Sequence, residues 1–172
     1  MLYVLPTAHA HPMVGTDDLG RVLSDDGIKR AQERAKEFSF VEVERVLTSP
    51  VIRCRQTAQI IFPGREYDVV EELYVPTELR NLFNARTATL HEYIEDDATG
   101  QVLYWAWNAM MGIHRELRRR KAMNIGIIGH AGFSDVIGAV LFPEHAEELS
   151  NLILHKAGGI SITPRGLMLH ES

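Results

Sequence analysis

Residues 45–62 read RVLTSPVIRCRQTAQIIF, and this stretch decides the fold. Its first four residues, Arg45–Thr48, form a short run that is typical of a strand buried on both faces. Pro50 follows, and proline suits the first turn of a helix because its missing N–H would have no partner there. The spacing predicts a helix from 50 to about 62, with the side chain of Ser49 as its N-cap. A strand therefore runs directly into a helix.

The same alternation continues on both sides of this stretch. Apolar runs predict strands at 2–5, 67–70 and 124–129, and helical periodicity predicts helices at 24–38, 102–117 and 131–142, with Ser24 as an N-cap. The tail predicts a short acidic helix that begins at Pro143-Glu144, and strands at 152–155, 159–163 and 167–170. We therefore expect a three-layer α/β/α sandwich around a mostly parallel sheet with an antiparallel edge. Without a linker or repeat, one domain over 1–172 is expected.

The composition excludes several classes of protein. Of 172 residues, 45% are hydrophobic and 24% charged, which excludes a disordered tail, a collagen-like repeat and a coiled-coil rod. The net charge of -5 offers no basic field to a nucleic acid. The single cysteine, Cys54, excludes an internal disulfide, and no Cys/His spacing fits zinc. With neither a signal-peptide pattern nor a membrane-spanning run, we expect a cytoplasmic protein without a membrane partner.

Polar residues follow three of the predicted strands, at the sheet edge where ligands of such folds bind. Pro6, Thr7 and His9 follow the first strand, Ser49 and Arg53 follow the second, and His130 follows the strand at 124–129. A helix N-terminus with arginine and histidine at one rim forms an anion site, and a phosphate fits it.

Three motifs, in this order, resemble the histidine phosphatase (phosphoglycerate mutase-like) superfamily, with small SixA-type phosphohistidine phosphatases nearest in size. Leu23-Ser24-Asp25-Asp26-Gly27 resembles the family's first helix start, and residues 48–58 resemble Ser-Ser-Pro-x-x-Arg-x-x-x-Thr-Ala. Residues 127–132 resemble the strand that ends in the family's second histidine. The resemblance covers residue 2 to about 163. It implies phosphoryl transfer through a phosphohistidine, without a metal or other cofactor.

The resemblance assigns Arg53 and His130 to the phosphate pocket, and both are expected to be catalytic or phosphate-binding. At the nucleophile it fails, because Pro6 and Thr7 stand where the family has arginine and histidine. Thr7 is therefore expected only as a phosphate contact. Shifting the motif by two residues puts His9 at the nucleophile position, and such a shift preserves the face of an extended strand.

Two functions therefore stay open. The preferred hypothesis is a catalytically impaired or inactive family member that binds a phosphorylated ligand through Arg53 and His130. The alternative is a metal-independent phosphomonoesterase or phosphohistidine phosphatase that uses His9. Either hypothesis implies a phosphate ester or a phosphohistidine protein as partner. A third, weaker hypothesis is a scaffold whose pocket is vestigial.

Other residues receive structural interpretations. Arg55 is expected to face away from Arg53, roughly 200° around the helix. Glu72 and Glu78 are the two candidates for a proton donor, and no spacing selects between them. In the helix at 102–117, the spacing predicts a buried face that consists of Leu103, Ala106, Trp107, Met110, Ile113 and Leu117.

Overall fold

The structure, a computed structural model, describes residues 2–6, 17–40, 42–81, 91–92, 95, 97–130, 133–151, 159–163 and 166–170. These residues contain one six-stranded sheet in the order β3-β2-β4-β1-β5-β6. The strands are β1 (Leu2–Pro6), β2 (Arg45–Thr48), β3 (Tyr67–Val69), β4 (Ile125–Gly129), β5 (Gly159–Thr163) and β6 (Gly166–His170). The first four run parallel, whereas β5 pairs antiparallel with both β1 and β6. The predicted parallel sheet with an antiparallel edge is confirmed.

Helices connect the parallel strands. They are α1 (Asp25–Glu37), α2 (Ile52–Ile61), α3 (Thr77–Asn81), α4 (Gln101–Arg119), α5 (Ser134–Leu141) and α6 (Ala146–Ser150), with 3-10 turns at Phe38–Phe40, Glu71–Leu73 and Pro143–His145. Ser24 is the N-cap of α1, as predicted, because its Oγ accepts a hydrogen bond from the Gly27 N–H at 3.1 Å. The strand predicted at 152–155 lies outside the described residues.

The core lies on both faces of the sheet, because successive residues of a strand point to opposite sides. In β4, Ile127 packs with the buried side chains of α4 and α5, whereas Ile128 packs with those of α1 and α2. Val46 and Leu47 of β2 alternate in the same way. The predicted three-layer arrangement of helix, sheet and helix is therefore confirmed.

The predicted buried face of α4 was wrong in part. The helix buries Val102, Trp105, Ala106, Ala109, Gly112, Ile113 and Glu116. Leu103 and Trp107 are exposed, Trp107 to 60%. Both sets of positions have helical spacing, and the choice between them depends on the polar residue Glu116. Its carboxylate lies 3.6 Å from the buried guanidinium of Arg45, so the buried side of α4 includes an ion pair as well as apolar side chains.

Candidate anion-binding site

The site begins where β2 and β4 end side by side. Ser49 follows β2 and His130 follows β4, and the two strands are held in register up to this point by the Ser49 N–H, which donates to the Ile128 carbonyl at 3.1 Å. Ser49 Oγ lies 3.0 Å from His130 Nε2, and both side chains are buried. In β1, Pro6 pairs with Gly129, so β1 ends level with β4. Three strand ends thus meet at one edge of the sheet.

Arg53 enters this edge from the first turn of α2. The helix begins at Ile52, so Val51 is its N-cap, without a side-chain hydrogen bond, and the prediction that Ser49 caps it was wrong. The N–H groups of Ile52 and Arg53 instead donate to the carbonyls of Leu19 and Arg21, at 3.0 and 3.1 Å. The loop at 17–23 therefore caps the helix with its backbone, which leaves the Ser49 hydroxyl free to bind His130.

The same loop brings a carboxylate to Arg53. Asp18 and Arg53 are only 2% and 3% exposed. Arg53 Nη1 donates to the Asp18 carbonyl at 2.9 Å and lies 3.1 Å from its Oδ1, and Nη2 donates to Oδ2 at 3.3 Å. Both terminal nitrogens of the guanidinium are thus engaged by one residue. A buried ion pair of this kind fixes both side chains in place.

Two more arginines converge on the same carboxylate. Arg80 of α3 lies 2.7 Å from Asp18 Oδ2 and 3.0 Å from Oδ1, and Arg21 lies 3.3 Å from Oδ1. Burial alone would raise the pKa of Asp18, but the hydrogen bond from Arg80 and the charge of Arg53 outweigh it, so this pKa is lowered. Three guanidiniums thus share one carboxylate. We call Arg21, Arg53 and Arg80 the arginine cluster.

His130 joins the arginine cluster as a neutral ring. Burial, followed by the positive charges of Arg53 and Arg80, lowers its pKa well below the usual value. Arg53 Nη2 lies 3.3 Å from Nδ1. A guanidinium only donates, so Nδ1 accepts and the ring proton lies on Nε2, which donates it to Ser49 Oγ. Arg53 thus fixes the tautomer of His130.

Further contacts fix the backbone and the ring of His130. Ser134 Oγ donates to the His130 carbonyl at 3.2 Å, and Cys54 Sγ donates to the Gly129 carbonyl at 3.3 Å. The Tyr74 ring meets the imidazole edge-on, with the ring centroids 6.4 Å apart. The lone cysteine therefore lies behind the strand end, with its side chain fully buried.

The structure brings together two of the four site residues expected from the sequence, Arg53 and His130. Thr7 and His9 lie outside the described residues. Sequence reasoning missed Asp18 and Arg80, and it assigned Ser49 only to a cap. For the carboxylates considered as proton donors, Glu72 accepts from Arg115 of α4 at 3.0 Å, and Glu78 is exposed on α3, the helix that carries Arg80.

The side chains gathered here can bind an anion, because their donors are guanidinium N–H groups. No group of three or more His, Cys, Asp or Glu side chains in the described part of the chain is arranged to hold a metal ion. No described helix is long and apolar enough to cross a membrane. Arginines that are held in place by other side chains, as Arg53 is, suit the oxygens of a phosphate group.

Comparisons with known proteins agree with this chemistry. Residues 7–74 match the model of the histidine phosphatase superfamily, branch 1. The chain is therefore similar to this superfamily over those residues, which make up fewer than half of its length. The match includes loop 17–23, β2, α2 and β3, so it spans Asp18 and Arg53. A search of the curated proteins found no match.

Solved structures of several phosphatases share the fold over nearly the whole chain. A mycobacterial glucosyl-3-phosphoglycerate phosphatase is 17% identical with a TM-score of 0.69, and covers 99% of this chain and 98% of its own. A phosphoserine phosphatase from Entamoeba histolytica, in complex with 3-phosphoglyceric acid, is 18% identical with a TM-score of 0.67 and coverages of 99% and 96%. The putative phosphohistidine phosphatase SixA from Agrobacterium tumefaciens is 17% identical, with a TM-score of 0.61 and coverages of 99% and 95%. These likenesses establish the phosphoglycerate mutase-like fold.

Proposed function

We propose that this histidine phosphatase superfamily protein binds the phosphate group of a phosphorylated ligand through Arg53 and His130, and that its catalysis is impaired or absent. The observation that carries the proposal is the arginine cluster, whose three guanidiniums converge at the end of the parallel strands, with Arg53 buried and Arg21 and Arg80 partly buried. A phosphate monoester carries close to two negative charges at neutral pH. Several guanidiniums at one place suit a ligand with this charge.

The impairment follows from what comes after β1. Pro6 pairs with Gly129, and in the sequence Thr7 comes directly after Pro6. The resemblance places the nucleophilic histidine at the sequence position of Thr7 and an arginine at that of Pro6. A threonine hydroxyl needs a dedicated base to act as a nucleophile, and proline carries no charge. A single lost donor at such a site costs about a hundredfold in rate.

The second candidate function is a metal-independent phosphomonoesterase or phosphohistidine phosphatase with His9 as its nucleophile. Hydrogen bonds hold the side chains of both Arg53 and His130 in place. This fixed geometry favours catalysis, because catalytic groups have to be held in position. His9 follows Thr7 by two residues. Under either function, we expect the ligand to be a small phosphate ester or a phosphohistidine protein in the cytoplasm.

Binding is tested by calorimetric titration of the protein with inorganic phosphate. Arg53→Lys removes the two-pronged guanidinium but keeps the charge, and we expect the dissociation constant to rise about tenfold or more. Arg55→Lys is the matched control, because Arg55 lies on the same helix and none of its described contacts joins it to His130 or Asp18. Equal phosphate affinity in wild type and Arg53→Lys would contradict the proposed pocket.

Catalysis is tested by hydrolysis of an aryl phosphate without added metal. Wild type is compared with His9→Ala, Thr7→Ala and His130→Ala. We expect wild type to give no turnover above buffer. Turnover that disappears in both histidine variants and persists in Thr7→Ala would instead establish the second candidate function, with His9 as nucleophile.

A further inference from the structure

The Asp18 carboxylate occupies the place in the arginine cluster that suits an external anion. Its two oxygens contact Arg53 at 3.1 and 3.3 Å and Arg80 at 2.7 and 3.0 Å, and it is 2% exposed. No other described carboxylate contacts these two guanidiniums. The positively charged groups that face Asp18 come from its own loop (Arg21), from α2 (Arg53) and from α3 (Arg80), with neutral His130 behind Arg53.

One carboxylate does not satisfy this set of donors. Arg80 Nε is buried and has no hydrogen-bond acceptor among the described residues. The Arg80 terminal nitrogens are engaged by Asp18 and by the Thr77 hydroxyl, at 2.9 Å. Burial and the positive charge of Arg53 lower the pKa of Arg21, as expected where cations crowd. A phosphate group offers three oxygens and about two charges where Asp18 offers two oxygens and one charge.

The loop that carries Asp18 does not need the carboxylate to stay in place. Its carbonyls at 19 and 21 accept from the first N–H groups of α2, and the Leu23 N–H donates to Gln56 Oε1 at 2.8 Å. The Asp18 carbonyl also accepts from Arg53. The Asp18 side chain alone can therefore rotate out while the loop remains bound to α2.

We infer that Asp18 is an internal counter-ion of the phosphate site, and that the phosphate group of a ligand binds by displacing the Asp18 carboxylate from Arg53 and Arg80. This inference rests on the proposed function, and it adds Arg80 as a ligand-binding residue and Asp18 as an internal competitor. The exchange moves no covalent bond. It trades one anion for another on the same guanidiniums, so Arg53 and Arg80 have an anionic partner in both the free and the bound protein.

The test is calorimetric titration with inorganic phosphate at pH 7.5 of wild type, Asp18→Asn, Arg80→Gln and Asp17→Asn. Asp18→Asn removes the negative charge that competes with phosphate. We expect this variant to bind phosphate at least about tenfold more tightly, because Arg53 and Arg80 no longer have to be released from a carboxylate before phosphate binds. Arg80→Gln is expected to bind about tenfold more weakly. Asp17→Asn makes the same charge change one residue away and keeps the oxygen that caps the Gly20 N–H, so its affinity is expected within twofold of wild type.

A crystal structure of the wild-type protein with phosphate gives a readout that needs no variant, and it shows the Asp18 carboxylate away from Arg80 if the inference is correct. If wild type binds phosphate with an affinity that depends on Arg53, but Asp18→Asn binds no more tightly, the inference fails and the proposed function stands. If only Asp18→Asn binds, the inference stands and the proposed wild-type binding fails. If neither protein binds phosphate, both fail.

Discussion

The Ser49 hydroxyl lies 3.0 Å from Nε2 of His130, and neither side chain is accessible to solvent to more than a few per cent. Because Arg53 donates to the other ring nitrogen, the imidazole is held from both sides. Ser49 follows β2, His130 follows β4 and Arg53 lies in the first turn of α2, so three elements of the fold converge on one ring. His130 is thus oriented before any ligand arrives.

Ser49→Ala removes the acceptor of the His130 Nε2–H and leaves this donor buried. We expect the free energy of unfolding to fall by about 1–3 kcal/mol, the cost of an unsatisfied buried polar group. Urea denaturation at pH 7 measures it. Ser39→Ala is the control, because Ser39 is exposed and its loss is expected to change stability by less than about 0.5 kcal/mol. Equal stabilities of the two variants would contradict the role of Ser49.

His130 is expected to stay neutral, with its proton on Nε2, from pH 8 down to below its usual pKa of about 6.5. Burial and the charges of Arg53 and Arg80 lower this pKa. Proton–nitrogen correlation spectra of the imidazole, recorded across this range, distinguish the two tautomers and the charged form. A ring that titrates near pH 6.5, or that carries its proton on Nδ1, would show that Arg53 does not donate to it.

The fold was predictable because its signals are local. A strand such as β4 and the cap of α1 at Ser24 each depend on residues within a few positions of one another, and the structure has both. The buried face of α4 was not predictable in the same way. Its apolar residues surround the helix, and the side that is buried packs against residues far away in the chain, including Arg45, which lies 71 positions before Glu116.

The site was predictable only where a motif marks it. Arg53 and His130 lie within the motifs that resemble the family, and the structure places Arg53 Nη2 3.3 Å from His130 Nδ1. Asp18 lies 35 positions from Arg53 and 62 from Arg80, in a loop without regular spacing. Ser49 has the sequence context of a helix cap, which is why the sequence predicts that it caps α2. In the structure, the backbone carbonyls of loop 17–23 cap this helix instead. Long-range contacts of this kind leave no local pattern.

Asp18 is expected to stabilise the protein above pH 4 and to lose this effect in acid. Its pKa is lowered in the folded protein, so the carboxylate contributes fully above the unfolded value of about 3.8 and less as the pH falls through the folded value. Asp18→Asn should therefore be less stable than wild type by about 3 kcal/mol at pH 7, the cost of breaking a buried pair. The difference, measured by urea denaturation, should stay constant from pH 7 to 5 and shrink below pH 4. A difference that already closes between pH 7 and 5 would contradict the ionised pair.

The titration of Asp135 is expected to change the stability of the protein in the direction opposite to that of Asp18. It is 1% exposed in the first turn of α5, and burial raises the pKa of its carboxyl to about 7, against the hydrogen bond from the Val136 N–H at 3.1 Å. The folded protein then binds a proton more tightly than the unfolded chain, so stability falls as the pH rises from about 4 to 7 and is constant above.

Asp135→Asn removes this titration and keeps the oxygen that accepts from Val136. We expect the variant to gain stability over wild type as the pH rises from 5 to 8, with an upper limit of roughly 4 kcal/mol for the whole titration. Urea denaturation at several pH values measures the gain, and Glu144→Gln, at an exposed position, is the control. A gain that is the same at pH 5 and pH 8 would mean that Asp135 does not titrate in the folded protein within this range, which would contradict a pKa raised to about 7 by burial.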